Sequence, residues 1–153
     1  MSTDREVLAE IDAAFGGVPR PNHFTNYEHC EECLEHDQTL SAKPRDELTR
    51  EDLGTIGWNP VTFCQLPAKA YLFPRLAKEL LAEPDTTWGW YGPEFICLVE
   101  CTEFRHYCNE HQRATVAAIL LHAIETRAGL VESYGYTNEF LACHAEWSSR
   151  EAK

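Results

Sequence analysis

Between Ala114 and Ile124 the chain runs Ala-Thr-Val-Ala-Ala-Ile-Leu-Leu-His-Ala-Ile. Wound into a helix, that segment is apolar on nearly every side, and such a helix has to be enclosed by other elements. The spacing therefore predicts a central buried helix near 112–128, capped by Asn109 and ended around Gly129. The remaining apolar segments also repeat at helical spacing: Val7, Leu8, Ile11, Ala14 and Phe15; then Tyr71, Leu72, Leu76, Leu80 and Leu81; then Phe140, Leu141 and Trp147. No hairpin signal interrupts them. The expectation is an all-α fold, one compact domain over 1–153, with five to seven helices around the 112–128 segment.

Local signals set the boundaries. Ser2 or Thr3 caps a first helix that ends at Gly16-Gly17. Thr49-Arg50-Glu51-Asp52 reads as one capped turn before Gly54, and Asn59 as a cap with Pro60 in the first helical position. Pro74 should kink or divide the helix over 67–82. Thr137 or Asn138 caps the last helix. The segment 94–104 is open between a helix presenting Cys97 and Cys101 at i, i+4 and a buried strand. The loop Trp88-Gly89-Trp90-Tyr91-Gly92-Pro93 is either a platform for a ligand or the cover of a core edge, and the second reading takes precedence.

Against 13 basic residues stand 25 acidic ones, a net charge of −12. That balance opposes binding to a nucleic-acid backbone and suits either simple solubility or a basic protein partner. The seven cysteines are an odd number, so a fully paired disulfide framework would leave one over. The N-terminus lacks the basic start and apolar run of a signal peptide, and no stretch reaches the apolar length of a membrane span. A reducing cytoplasm, with free thiols and no membrane, is the expected setting.

The chemistry-bearing stretch is Glu28-His29-Cys30-Glu31-Glu32-Cys33-Leu34-Glu35-His36-Asp37. On a helix at about 100° per residue, Cys30, Cys33, Leu34, Asp37 and Leu40 share one face. Glu28, Glu31, Glu32 and Glu35 take the other, and His29 and His36 lie on the border near Cys33. Three readings follow. Cys30 and Cys33 are core hydrophobes with boundary histidines, which is the preferred reading. Alternatively they are ligands to zinc, with His29 or His36 beside them. The third reading is a redox dithiol. One C-x-x-C is half a zinc signature, and further ligands would have to come from His23, Cys97, Cys101, His106, Cys108 or His111. Flanking glutamates are expected to raise both thiol pKa values.

Arg20-Pro21-Asn22-His23-Phe24, the cysteine stretch and Gly57-Trp58-Asn59-Pro60 together resemble a group of bacterial proteins, uncharacterised in function, that share RPxHF, HCxECxEHD and GWxP. The resemblance covers the first half of the chain well and the C-terminal helices loosely. It implies a bacterial cytoplasmic origin and no particular activity. Cys30 to His36 is also similar to the CxxCxxxH of the helical alkylhydroperoxidase-D family, but His36 follows Cys33 by three residues instead of four. That likeness would imply a thiol-dependent redox enzyme using Cys30, Cys33 and His36, and the family's proton-relay glutamate has no assignable counterpart. There is no G-x-S-x-G elbow, P-loop, dinucleotide fingerprint or H-E-x-x-H. The expected role is a small acidic interaction or accessory protein, of immunity type, with no catalytic residues, a basic partner and zinc as the one candidate cofactor.

Overall fold

The computed structural model describes residues 2–149. Helices account for all regular structure among them: α1 (Asp4–Phe15), α2 (Glu31–Ser41), α3 (Arg50–Leu53), α4 (Leu66–Leu81), α5 (Gly92–Val99), α6 (Thr102–Tyr107), α7 (Glu110–Thr126), α8 (Ala128–Ser133) and α9 (Thr137–Ser148). Two single turns of 3-10 helix, Arg45–Glu47 and Pro60–Phe63, join them. The described residues form nine helices in place of the expected five to seven, because several breaks fall inside single predicted segments. The stretch 94–104 is helical on either side of a break at Glu100-Cys101, so Cys97 lies within α5 while Cys101 is the extended residue ahead of α6.

The termini of the helices follow local chemistry. Thr3, Thr49 and Asn109 each accept from the third residue of their helix, and Glu6, Asp52 and Gln112 return the bond. These reciprocal pairs satisfy amides that a helix leaves open. Neither Asn59 nor the start of α9 uses a side-chain cap. Pro74 neither divides α4 nor ends it. In the turn before it, Arg45 donates to the carbonyl of Tyr71 at 2.7 Å.

The long helices stand in the order α9, α7, α1, α4, each packed mainly on the next. The centre of the core is α4, from which Leu72, Phe73, Leu76, Ala77 and Leu80 are fully buried. Phe73 is its hub, with ring centroids 4.6 Å from Phe15, 5.6 Å from Phe95 and 6.1 Å from Phe104. One hydrophobic cluster runs from Val7 to Trp147. The 112–128 helix is not enclosed on all sides as expected: Ala114, Ala118, Leu121 and Glu125 form a solvent stripe on α7. Alanine costs little when exposed, so an alanine-rich stripe reads as buried in sequence and sits in water in the fold. No helix of the described residues is long and apolar enough to cross a membrane.

Asp4 ties the start of α1 to the C-terminal end of α7. Its carboxylate accepts from His122 Nε2 at 2.7 Å and from Arg127 at 2.8 and 2.7 Å, while Arg127 also donates to the Leu81 carbonyl at 2.6 Å. The hydrogen bonds from Arg127, outweighing the cost of burial and aided by His122, bring the Asp4 pKa down to about 2. A depressed carboxylate stabilises the fold above its unfolded value near 3.8, and that contribution disappears as pH falls through about 2.

Two predictions follow from this packing. Phe73→Ala should lower stability by about 3–5 kcal/mol, read from the denaturant midpoint, because four helices lose one shared ring. Asp4→Asn should destabilise at pH 7 by about 1 kcal/mol after solvent screening of a half-exposed group. Melting temperatures of variant and wild type should converge as the pH approaches 2.

Candidate metal centre

The chain reaches α2 through a loop that is fastened at three points. Arg20 donates to the carbonyls of Ser41 at 2.8 Å and Lys43 at 3.2 Å, closing the C-terminal end of α2. Its guanidinium lies over the rings of Phe24 and Tyr71, at 5.3 and 5.9 Å. Phe24 is fully buried, and its carbonyl accepts from the Gln65 amide at 2.9 Å. The third point is Asp37, buried on α2, whose carboxylate accepts from the amides of Phe24 and Thr25 and from His23 Nδ1 at 2.8 Å. Burial pushes the Asp37 pKa up, but the bonds from His23 and the two amides win, leaving it below the usual carboxylate value. Thr25 Oγ1 completes the join by donating to the Cys33 carbonyl at 2.6 Å.

So held, the chain enters α2 at Glu31, later than a helix beginning near Glu28 would require. Cys30 is the extended residue that caps it, and its Sγ accepts from the Cys33 amide at 3.4 Å. A thiolate is an acceptor at the place serine or aspartate usually fills, and Glu31 and Glu32 in the first turn suit the positive end of the helix. Cys30 Sγ and Cys33 Sγ are 3.3 Å apart, and Cys33 Sγ is 3.7 Å from His29 Nδ1. All three ligand atoms lie within 4.8 Å of one another. His29 and Cys30 are exposed and Cys33 is buried.

His36 stands apart from this group. The buried face of α2 is Cys33, His36, Asp37 and Leu40, while Leu34, expected inside, is exposed. The His36 ring lies between Trp58 and Phe63, with centroids at 4.5 and 4.7 Å, and its Nε2 is 3.2 Å from Glu32. Its buried Nδ1 has no hydrogen-bond partner among the described residues. His23 is taken by Asp37 and stacks on Tyr27 at 3.8 Å. None of Cys97, Cys101, His106, Cys108 or His111 joins the group among the described residues. Cys108 is a core residue, its pKa pushed up to about 12 by burial. All seven cysteines are free thiols.

The two thiols differ in proton affinity. The Cys33 amide, then the Cys33 thiol and His29, bring Cys30 down to about 7. Cys33 is raised, first by its hydrogen bond to Cys30, then by burial and the nearby charges of Cys30 and Glu32. The flanking glutamates therefore do not raise Cys30 as expected; amide donation at the helix start outweighs them. Of the two, Cys30 is the thiol that ionises first, and Cys33 is the one that keeps its proton.

Thiolate, thiol and imidazole are donors for a borderline-soft ion such as zinc. With zinc–sulfur bonds near 2.3 Å, tetrahedral geometry separates two sulfurs by about 3.7 Å and sulfur from nitrogen by roughly 3.5 Å. The observed 3.3 and 3.7 Å depart from those values by a few tenths of an ångström. The residues fit the ion, with a fourth position left to solvent or to another molecule.

Alkylation of Cys30 in the metal-free protein should follow an ionisation with a midpoint near pH 7, and Cys33→Ala should move that midpoint upward by removing a donor. Mass mapping of the modified cysteine across pH measures both. Comparison with family models, curated proteins and solved structures yields no match, so the chemistry assigned to this site comes from its geometry.

Proposed function

We propose that the protein binds one zinc-class divalent ion through His29 Nδ1, Cys30 Sγ and Cys33 Sγ. The observation that carries this reading is the convergence of three soft or borderline donors within 4.8 Å at a helix start. Cys30 already has thiolate character near neutral pH, so binding displaces little more than the Cys33 proton. The loop bonds of Asp37 and Thr25 hold the donors in place before the ion arrives, as outer partners do in metal sites. Glu28, Glu31 and Glu35, exposed on the same segment, add negative potential that favours a cation. The biological setting we infer is an accessory protein that meets a basic partner.

A second reading is favoured by one further observation: the exposed thiol is the acidic one and the buried thiol lies 3.3 Å behind it. Cys30 thiolate would attack the disulfide of another molecule. Cys33 would then displace the mixed disulfide, closing Cys30–Cys33 and releasing the other molecule's two thiols. Two electrons and two protons pass to the reduced partner. Oxidation removes both sulfur ligands, so the two readings predict opposite states for a cell-purified sample.

Protein purified anaerobically, without chelator or added metal, should contain stoichiometric zinc by elemental analysis. His29→Asn, Cys30→Ser and Cys33→Ser should each lose it, and His36→Gln should retain it. Less than about a tenth of an equivalent would defeat the metal reading, since structural zinc binds tightly. A metal-free sample whose Cys30–Cys33 pair equilibrates with glutathione would favour the dithiol.

A further inference from the structure

Beyond the cysteine site, two tight turns each carry a partly exposed tryptophan. In the first, Thr55 and Trp58 exchange backbone hydrogen bonds of 2.9 and 3.1 Å, and Trp58 is 43% exposed. In the second, Asp85 and Gly89 exchange bonds of 3.1 and 2.9 Å, and Trp88 is 38% exposed. The Asp85 carboxylate also accepts from the amides of Thr87 and Trp88, both at 2.8 Å. The two indoles border one open cleft of about 450 Å³, whose walls include Glu51 and Asp52 and, among the described residues, no basic side chain.

The cleft is built before any ligand enters. Arg50, buried on α3, donates to the carbonyls of Gly54 in the first turn and of Trp88 and Gly89 in the second, the latter two at 3.0 and 3.3 Å. Its charge is met by Glu94 at 3.4 Å, and its guanidinium lies 5.1 Å from the ring of Tyr91. Gly54 makes the approach possible: at φ 79° it occupies left-handed space, and a Cβ there would lie 2.0 Å from the Trp58 carbonyl. One buried cation thus fixes the relative position of both tryptophan turns, which reduces the ordering cost of binding.

From this geometry we propose that the cleft recognises a cationic side chain, lysine or arginine, on a basic segment of a partner protein. Indole is the strongest of the aromatic groups in attracting such cations. Lys43 already pairs with Asp52 at 2.7 Å, so Glu51, exposed on the rim, is the carboxylate offered to the incoming charge. The net charge of −12 draws a basic segment toward the surface, and the tryptophan pair supplies the place where it is held. The occupant is a protein segment because long-range attraction of this size acts on many charges at once, whereas a lone ammonium gains only the local contact.

The test is a titration of the whole protein with a lysine-rich and an arginine-rich peptide, followed by the indole N–H signals of the four tryptophans. Trp90 and Trp147 donate to the carbonyls of Leu80 and Val99, both at 2.8 Å, and should not move. The signals of Trp58 and Trp88 should shift together. Trp88→Leu should weaken binding roughly three- to tenfold, and Glu51→Gln should weaken it less and flatten its salt dependence. Both variants should keep wild-type metal content, which separates this site from the His29, Cys30 and Cys33 cluster. Glu28→Gln with Glu31→Gln, on the other acidic surface, should leave affinity within about twofold. Peptide binding unaltered by Trp88→Leu and Glu51→Gln, or shifts confined to other signals, would overturn the proposal. So would tetramethylammonium binding as tightly as the peptides, since the occupant would then be a free small cation.

Discussion

The carboxylate of Asp37 governs the candidate metal centre more than any residue inside it. It is a buried acid with no lysine or arginine bonded to it among the described residues, satisfied by two consecutive amides and an imidazole. Such a group is costly unless each bond is made, so the loop 23–25 has one acceptable path across α2. That path places Thr25 against the Cys33 carbonyl and brings the chain to Cys30 in extended form. The cysteines are therefore positioned by the fold's own hydrogen bonds. An ion would find the donors assembled, and an oxidant would find the two sulfurs adjacent.

Arg50 repeats this logic with opposite charge. Burial holds the Glu94 carboxyl above the usual carboxylate range, opposed by the amide at its own helix start and by Arg50, while Arg50 spends its other donors on carbonyls of two turns. Apolar rings around Phe73 join four of the helices, and the Asp4 carboxylate adds a polar tie between α1 and the end of α7. Asp37 and Arg50, by contrast, shape the loops where chemistry and recognition can occur.

Much of the helical character was legible because caps and periodicity are local. Thr3, Thr49 and Asn109 stand where their side chains act, and Gly16 follows the first helix. What escaped reading depends on partners far along the chain. His36 looked like a neighbour of the sulfurs on a helical wheel, but Trp58 and Phe63, more than twenty residues away in sequence, enclose it. The late start of α2 was hidden because a thiol acting as cap is outside the usual residue set. Pro74 was read as a kink or a division, whereas α4 runs through it undivided, with Arg45 of another element donating to the Tyr71 carbonyl. The solvent stripe of α7 escaped for a different reason: alanine carries almost no hydropathic signal to show which way it faces.

The tie from Asp4 to His122 and Arg127 has a consequence for the order of assembly. The groups that close α1 lie 118 and 123 positions later in the chain, and Gln112 reaches back 98 positions to the Ala14 carbonyl. At a synthesis rate of about 5–20 residues per second, α1 waits roughly 6–25 s on the ribosome for that partner. In the interval Val7, Ile11 and Phe15 have only part of their final cover, chiefly from α4. Helix α1 is thus among the last to be locked, because the groups that close it lie far along the chain.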